Sequence, residues 1–193
     1  MVGRRSFLLG LTLAACVPVR TVDVPPNVPR QGAKKPELLL QEIGDYQCSF
    51  CAAVQPTVKR VMATYGERVA LVWRDYPLDR HEHALGAAEA AREVRAQLGD
   101  DAFWKYHDVL FRNQRALAPA DLVRYAEALG VDQKRLSRAL ELGIHRDGVF
   151  ADKREIDALK LPSFGTPAFI IGADVFVGGY SYEELAGLVE DAL

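Results

Sequence analysis

Cysteine is scarce in this chain: 193 residues carry three thiols, Cys16, Cys48 and Cys51. No structural disulfide is left over once Cys48 and Cys51 are taken as a pair, and no second pair follows that could complete a zinc site. Neither sign of charge dominates, with 24 Lys and Arg against 26 Asp and Glu. Without a basic footprint, nucleic acid is not an expected partner. The apolar run Phe7 to Ala15 is too short to span a bilayer as a helix. Repeats, a Gly-rich phosphate loop and a Ser-His-Asp order are all missing, so no cofactor is expected. What is present, 49% apolar and 26% charged residues, suits one globular domain able to bury a core without staples.

Cys48-Ser49-Phe50-Cys51 ends a strand-like run and opens a helix-like one. The first turn of a helix has free N–H groups and a positive partial charge, which favour a thiolate over a thiol at Cys48. A free cysteine has a pKa of about 8.5, whereas thiols in such motifs fall to roughly 3.5–7.5. Cys48 is therefore the expected nucleophile. Cys51, one turn on, can reach back and resolve a mixed disulfide, releasing the substrate after one exchange.

Residues 1 to 15 read as a targeting segment, with Arg4 and Arg5 before the apolar run. Leu13-Ala14-Ala15-Cys16 resembles the lipobox of bacterial lipoproteins, which makes Cys16 the expected lipidation site and the start of the mature chain. Arg4-Arg5-Ser6-Phe7-Leu8 also resembles a twin-arginine export signal. From residue 16 to 36 the prolines at 18, 25, 26, 29 and 36 suggest an extended tether. Residues 37 to 193 then form the domain. Glu37 to Ile43 predicts a strand, the run after Cys51 a helix to Tyr65 stopping at Gly66, and Val69 to Trp73 a second strand, giving a βαβ unit. Pro56 falls inside the helix, where a kink is expected.

Between about residues 80 and 160 the pattern is helical throughout. Helices are expected over Ala84 to Leu98, Asp101 to Asn113, Asp121 to Leu129, one capped by Asp132, and Arg146 to Leu159. Pro167 to Ile171 and Val175 to Val177 predict a hairpin, and Ser181 with Glu184 matches a capping box for a terminal helix. His81-Glu82-His83 offers two imidazoles that would not share a helical face, so a loop or helix start is expected there rather than a metal site. His107 lies in the aromatic stripe Phe103-Trp104-Lys105-Tyr106-His107, which reads as core packing. His145 has no evident partner.

A strand leading into CxxC, a proline in the next helix, and a Thr-Pro before a hairpin and terminal helix resemble the thioredoxin superfamily. The helical insertion between βαβ and ββα resembles its DsbA-like branch, as does Gly44-Asp45-Tyr46-Gln47-Cys48-Ser49-Phe50-Cys51, where Ser49 stands at a position often occupied by proline. The resemblance implies an α/β, thioredoxin-like fold with an inserted all-helical subdomain. It makes Pro167 a cis-proline facing the dithiol, where the sequence alone favours a trans bond. Thr166 and Pro167, with Ser49 and Phe50, would then form the substrate-binding edge. It also makes Glu42 a buried acid that takes the proton from Cys51, whereas strand periodicity alone would let it face solvent.

The expected activity is extracytoplasmic thiol-disulfide exchange with exported proteins that are reduced or misoxidised, as a disulfide donor. A redox partner is implied, and a membrane contact through the lipid on Cys16. A reductase or isomerase of the same fold, or a lipoprotein that only binds peptides, are the alternatives. Strong oxidants of the branch place a His between the cysteines. Neither Ser49 nor Phe50 can carry positive charge, so the direction of electron flow stays open.

Overall fold

A computed structural model describes residues 24–193. The targeting segment and Cys16 lie outside the described residues. Among the described residues five strands form one mixed sheet and seven helices cover it.

Strand β2 (Leu38–Gly44) is central, and helix α1 (Ser49–Tyr65) carries the chain over to β3 (Val69–Asp75), which pairs with β2 in parallel. This is the expected βαβ unit, with α1 running unbroken through Pro56. Strand β4 (Ala168–Ile171) lies antiparallel on the other side of β2, and β5 (Asp174–Val177) closes the hairpin. The terminal helix α7 (Tyr182–Ala192) starts at the expected capping box, with both Ser181 and Glu184 bonds formed.

One boundary is corrected. Arg30–Gly32 forms β1, antiparallel to β3 at the sheet edge, so the domain takes in residues expected to lie in the tether. Edge pairing uses main-chain groups and three residues are too few to show side-chain alternation, so the sequence pattern could not announce it. A side chain at Gly32, with φ +97°, would meet the carbonyl oxygen of Val69 at 2.4 Å, and the close approach of β1 requires glycine there.

Alternation along β2 sorts its two faces. Leu38 and Leu40 join Val54, Val58 and Val61 of α1 and Leu185 and Val189 of α7 in one apolar layer. Ile43 packs with Ile156, Ala168 and Ile170 on the opposite face. That face is covered by α6 (Arg146–Asp157). Buried there, the Arg74 guanidinium donates to Asp152 Oδ1 at 2.9 Å and Gln41 Oε1 at 3.1 Å. Arg92 joins Asp152 to Asp75, each at 2.6 Å, which ties β3 to the insertion through paired buried charges.

The insertion is all-helical, as expected. It comprises α2 (Ala84–Leu98), α3 (Asp100–Arg112), α4 (Pro119–Glu127), α5 (Gln133–Leu142) and α6. Helix α4 begins two residues earlier than the expected Asp121, because Pro119 occupies the first turn, where a missing N–H costs nothing. Asp132 caps α5 by accepting from the N–H groups of Lys134 and Arg135. His145, without an expected partner, has one: its Nε2 lies 2.6 Å from Glu93 Oε2. Together α2 and α3 bring Phe103, Tyr106, Leu110 and Phe111 against Tyr46, Trp73 and the two thiols in one continuous apolar cluster.

Candidate active site

Cys48 is the N-cap residue of α1 and Cys51 lies in its first turn; both are free thiols and both are buried. Their environments pull them apart. The thiol of Cys51 donates toward the Cys48 sulfur and, against the opposing effect of burial, brings its pKa down to about 5. Thr166 and the backbone N–H groups of Cys51 and Phe50 add to this, although none of these N–H groups makes a capping bond to the sulfur. Burial, and then the neighbouring Cys48, push Cys51 far above the ordinary thiol range. A thiol that ionises readily thus sits beside one that holds its proton, an arrangement suited to disulfide exchange.

The Thr166-Pro167 bond is cis, as the resemblance implied. Cys48 Sγ lies 3.3 Å from the Thr166 carbonyl oxygen. The hydroxyl of Thr166 is buried and lacks a formal hydrogen bond. On the outer side of the pair Ser49 is exposed, and Phe50 is the most exposed large apolar side chain of the described residues at 69%.

Glu42 is fully buried. The solvent-facing alternative fails for a topological reason: β2 is an inner strand with both faces covered, and residues 38, 40 and 42 share the face under α1. Burial pushes its pKa up to about 8, partly offset by a hydrogen bond from Gln55 Nε2 to Oε1 at 2.7 Å. Its other oxygen, Oε2, is buried with no partner. Gln55 Nε2 also lies 3.3 Å from the Cys51 carbonyl, so one amide joins the carboxyl group to the backbone of the second thiol.

Several residues that hold this site were not singled out by sequence. Asp45 accepts from Gln47 N, Leu78 N and His81 Nδ1 at 2.7, 2.7 and 2.8 Å, tying the approach to the dithiol to the loop after β3. His81 is thereby used as a loop partner. Gln114, beyond α3, donates to the carbonyls of Tyr46 and Cys48 at 2.8 and 2.9 Å. His107 is part of the aromatic core, 4.7 Å from the Trp73 ring, but it also hydrogen-bonds: Nδ1 is 3.1 Å from the Tyr46 hydroxyl and Nε2 is 3.3 Å from Gln55 Oε1. Burial, and secondarily Lys59, lower its pKa to about 3. Gln55 stands one turn after Cys51, a spacing visible in the sequence; His107 and Gln114 have no such local sign.

Comparison with known proteins agrees with this geometry. The chain is 37% identical over 164 residues to Na(+)/H(+) antiporter NhaA 3 of Salinispora tropica, an alignment covering 84% of this chain and 24% of that protein. Na(+)/H(+) antiporter NhaA 1 of Salinispora arenicola is 34% identical with the same coverage, so this chain spans about a quarter of the curated relatives it matches. Among the described residues no helix is long and apolar enough to cross a membrane. Of solved structures, a thioredoxin-like oxidoreductase from Silicibacter pomeroyi superposes with a TM-score of 0.74 at 26% identity, over 87% of this chain and 93% of that one. BdbD from Bacillus subtilis shares the fold, with a TM-score of 0.75 at 21% identity over 86% and 92% of the two chains. The thioredoxin family model matches residues 26–191, nearly all of the described chain. The chain belongs to the thioredoxin family, and its fold, helical insertion included, is that of the DsbA-like thiol-disulfide oxidoreductases.

Proposed function

We propose that this chain is an extracytoplasmic thiol-disulfide oxidoreductase that donates the Cys48–Cys51 disulfide to reduced exported proteins. The observation that carries the reading is the asymmetry of the pair, with Cys48 lowered to about 5 and Cys51 driven upward. Stabilising the Cys48 thiolate stabilises the reduced protein, and a stable reduced form makes the corresponding disulfide a stronger oxidant.

In the forward reaction a substrate thiolate attacks Cys48 Sγ and the Cys48–Cys51 bond breaks. Cys51 leaves with the bonding electron pair and takes a proton from Glu42, whose raised pKa keeps the carboxyl group protonated near neutral pH. A second substrate thiolate then attacks the substrate sulfur of the mixed disulfide, and Cys48 departs as a thiolate. Two electrons have passed from the substrate dithiol to the protein, and a partner disulfide takes them back. Thr166 and Pro167 dock the substrate backbone, while Ser49 and the exposed Phe50 meet its side chains.

Cys16 would hold the domain at a membrane through a lipid, with exported proteins as substrates. The antiporter relatives share only the segment to which this chemistry belongs.

Equilibration of the domain in glutathione buffers, with free thiols counted, tests the reading. A potential near about −120 mV is expected of a donor. One near roughly −270 mV would replace the donor with a reductase that needs an electron supply.

A further inference from the structure

We infer that His107 and Gln55 are positioning residues that hold Glu42 by one carboxyl oxygen, Oε1, and reserve the other, Oε2, for the proton exchanged with Cys51. The inference rests on the acid-base role proposed for Glu42 and extends it to a residue of the helical insertion.

The direction of the three hydrogen bonds that link Tyr46, His107, Gln55 and Glu42 follows from one obligate acceptor. Gln55 Nε2 faces both Glu42 Oε1 and the Cys51 carbonyl, and a carbonyl can only accept. The amide nitrogen must therefore lie on that side, which leaves Gln55 Oε1 toward His107 Nε2 at 3.3 Å. An amide oxygen only accepts, so His107 carries its proton on Nε2. Its Nδ1 is then bare and accepts from the Tyr46 hydroxyl at 3.1 Å.

Tyr46, His107, Gln55 and Glu42 thus form a one-way series in which each donor points toward the carboxyl group. All four are buried, with exposures of 1%, 1%, 8% and 0%. In such surroundings the bonds polarise one another, and a reversed amide would set two acceptors face to face. The series ends on Oε1. Oε2, buried and without a partner, is the oxygen on which the proton resides when the carboxyl group is neutral.

His107 is well suited to the task because it stays neutral. An imidazolium would donate from both nitrogens and break the bond from Tyr46. The charged groups acting on the series are Lys59, which acts on His107 while its ammonium is paired to Asp108 at 2.7 Å, and Asp75 and Arg92, which act on Tyr46. The thiols of Cys48 and Cys51 lie at its α1 end. Trp73 and Phe169, opposite Glu42 on the flanking strands, bring no charge.

The test is the titration of the Glu42 carboxyl carbon by NMR in the reduced full-length protein. This readout is independent of disulfide transfer, so a failed donor assay would not be mistaken for a failed relay. His107→Phe keeps the aromatic volume and removes the donor to Gln55. It should move the Glu42 midpoint upward by about one unit, roughly tenfold in proton affinity. His107→Gln places an amide nitrogen where Nε2 stood and should restore most of that shift. Packing alone would give both variants the same midpoint as the parent, and that result would overturn the inference. In the unmodified protein the imidazole 15N spectrum supplies a check that needs no substitution: a proton on Nε2 through neutral pH is expected, and a proton on Nδ1 would overturn it.

Discussion

The sulfur of Cys48 lies 3.3 Å from the carbonyl oxygen of Thr166, a residue 118 positions later in the chain. The contact exists because β4 pairs with β2, with Ala168 opposite Ile43, so the segment before β4 arrives beside the segment after β2. A substrate strand laid along Thr166 would place its own thiol at Cys48. In Cys51→Ser the Cys48 thiolate should therefore attack the disulfide of an oxidised substrate protein, releasing one substrate sulfur as a thiolate, and accumulate as a mixed disulfide seen as a stable mass adduct that dithiothreitol removes. The absence of such an adduct would sink the two-step exchange.

The pH dependence of Cys48 reactivity follows from its lowered pKa. Alkylation of the reduced protein should be nearly constant from neutral pH to about pH 6, then fall about tenfold per unit below pH 5, as the thiolate fraction falls. The stability consequence has a definite sign. A depressed pKa stabilises the folded, reduced form at pH above the ordinary thiol range, and this contribution is lost as pH falls toward about 5. The Tm of the reduced protein should decline over that window more than that of Cys48→Ser.

Glu42 has the opposite sign. Its folded pKa is raised to about 8, so its contribution is fully present below the ordinary carboxylate range and is lost as pH rises through about 8. Glu42→Gln removes the ionisation. The variant should gain in Tm relative to the parent at pH 9 more than at pH 5, while disulfide exchange slows on the order of a hundredfold. Equal exchange rates would remove Glu42 from the mechanism.

Arg74 is fully buried and donates to Asp152 and Gln41. Arg74→Ala would leave the Asp152 carboxylate with Arg92 as its one cationic partner, beside the bond from the Asp75 N–H. The expected cost is about 3–5 kcal/mol in urea unfolding, with Cys48 alkylation unchanged in the fraction that stays folded. A loss below about 1 kcal/mol would show that the insertion is held to the sheet without the Arg74 pair.

Much of this protein is legible locally. The βαβ unit, the helical insertion, the hairpin and the terminal capping box follow from apolar spacing and from residues that satisfy helix ends, all of which act within a few positions. The dithiol was legible for the same reason: Cys48 and Cys51 fall one turn apart where a strand run gives way to a helix run. Edge strand β1 was not, since three residues carry no period.

The site divides along the same line. Sequence by itself determined which atoms can exchange a disulfide and that Cys48 meets the open end of a helix. Tertiary structure alone decided that Glu42 is buried, because an inner strand is covered on both faces. It alone brought Thr166 to Cys48, Gln114 to the Cys48 carbonyl, and His107 to Gln55 across 52 residues. Local spacing governs elements whose bonds close within one or two turns. A proton-handling site is closed by side chains from separate elements, and their meeting depends on how sheet and insertion pack.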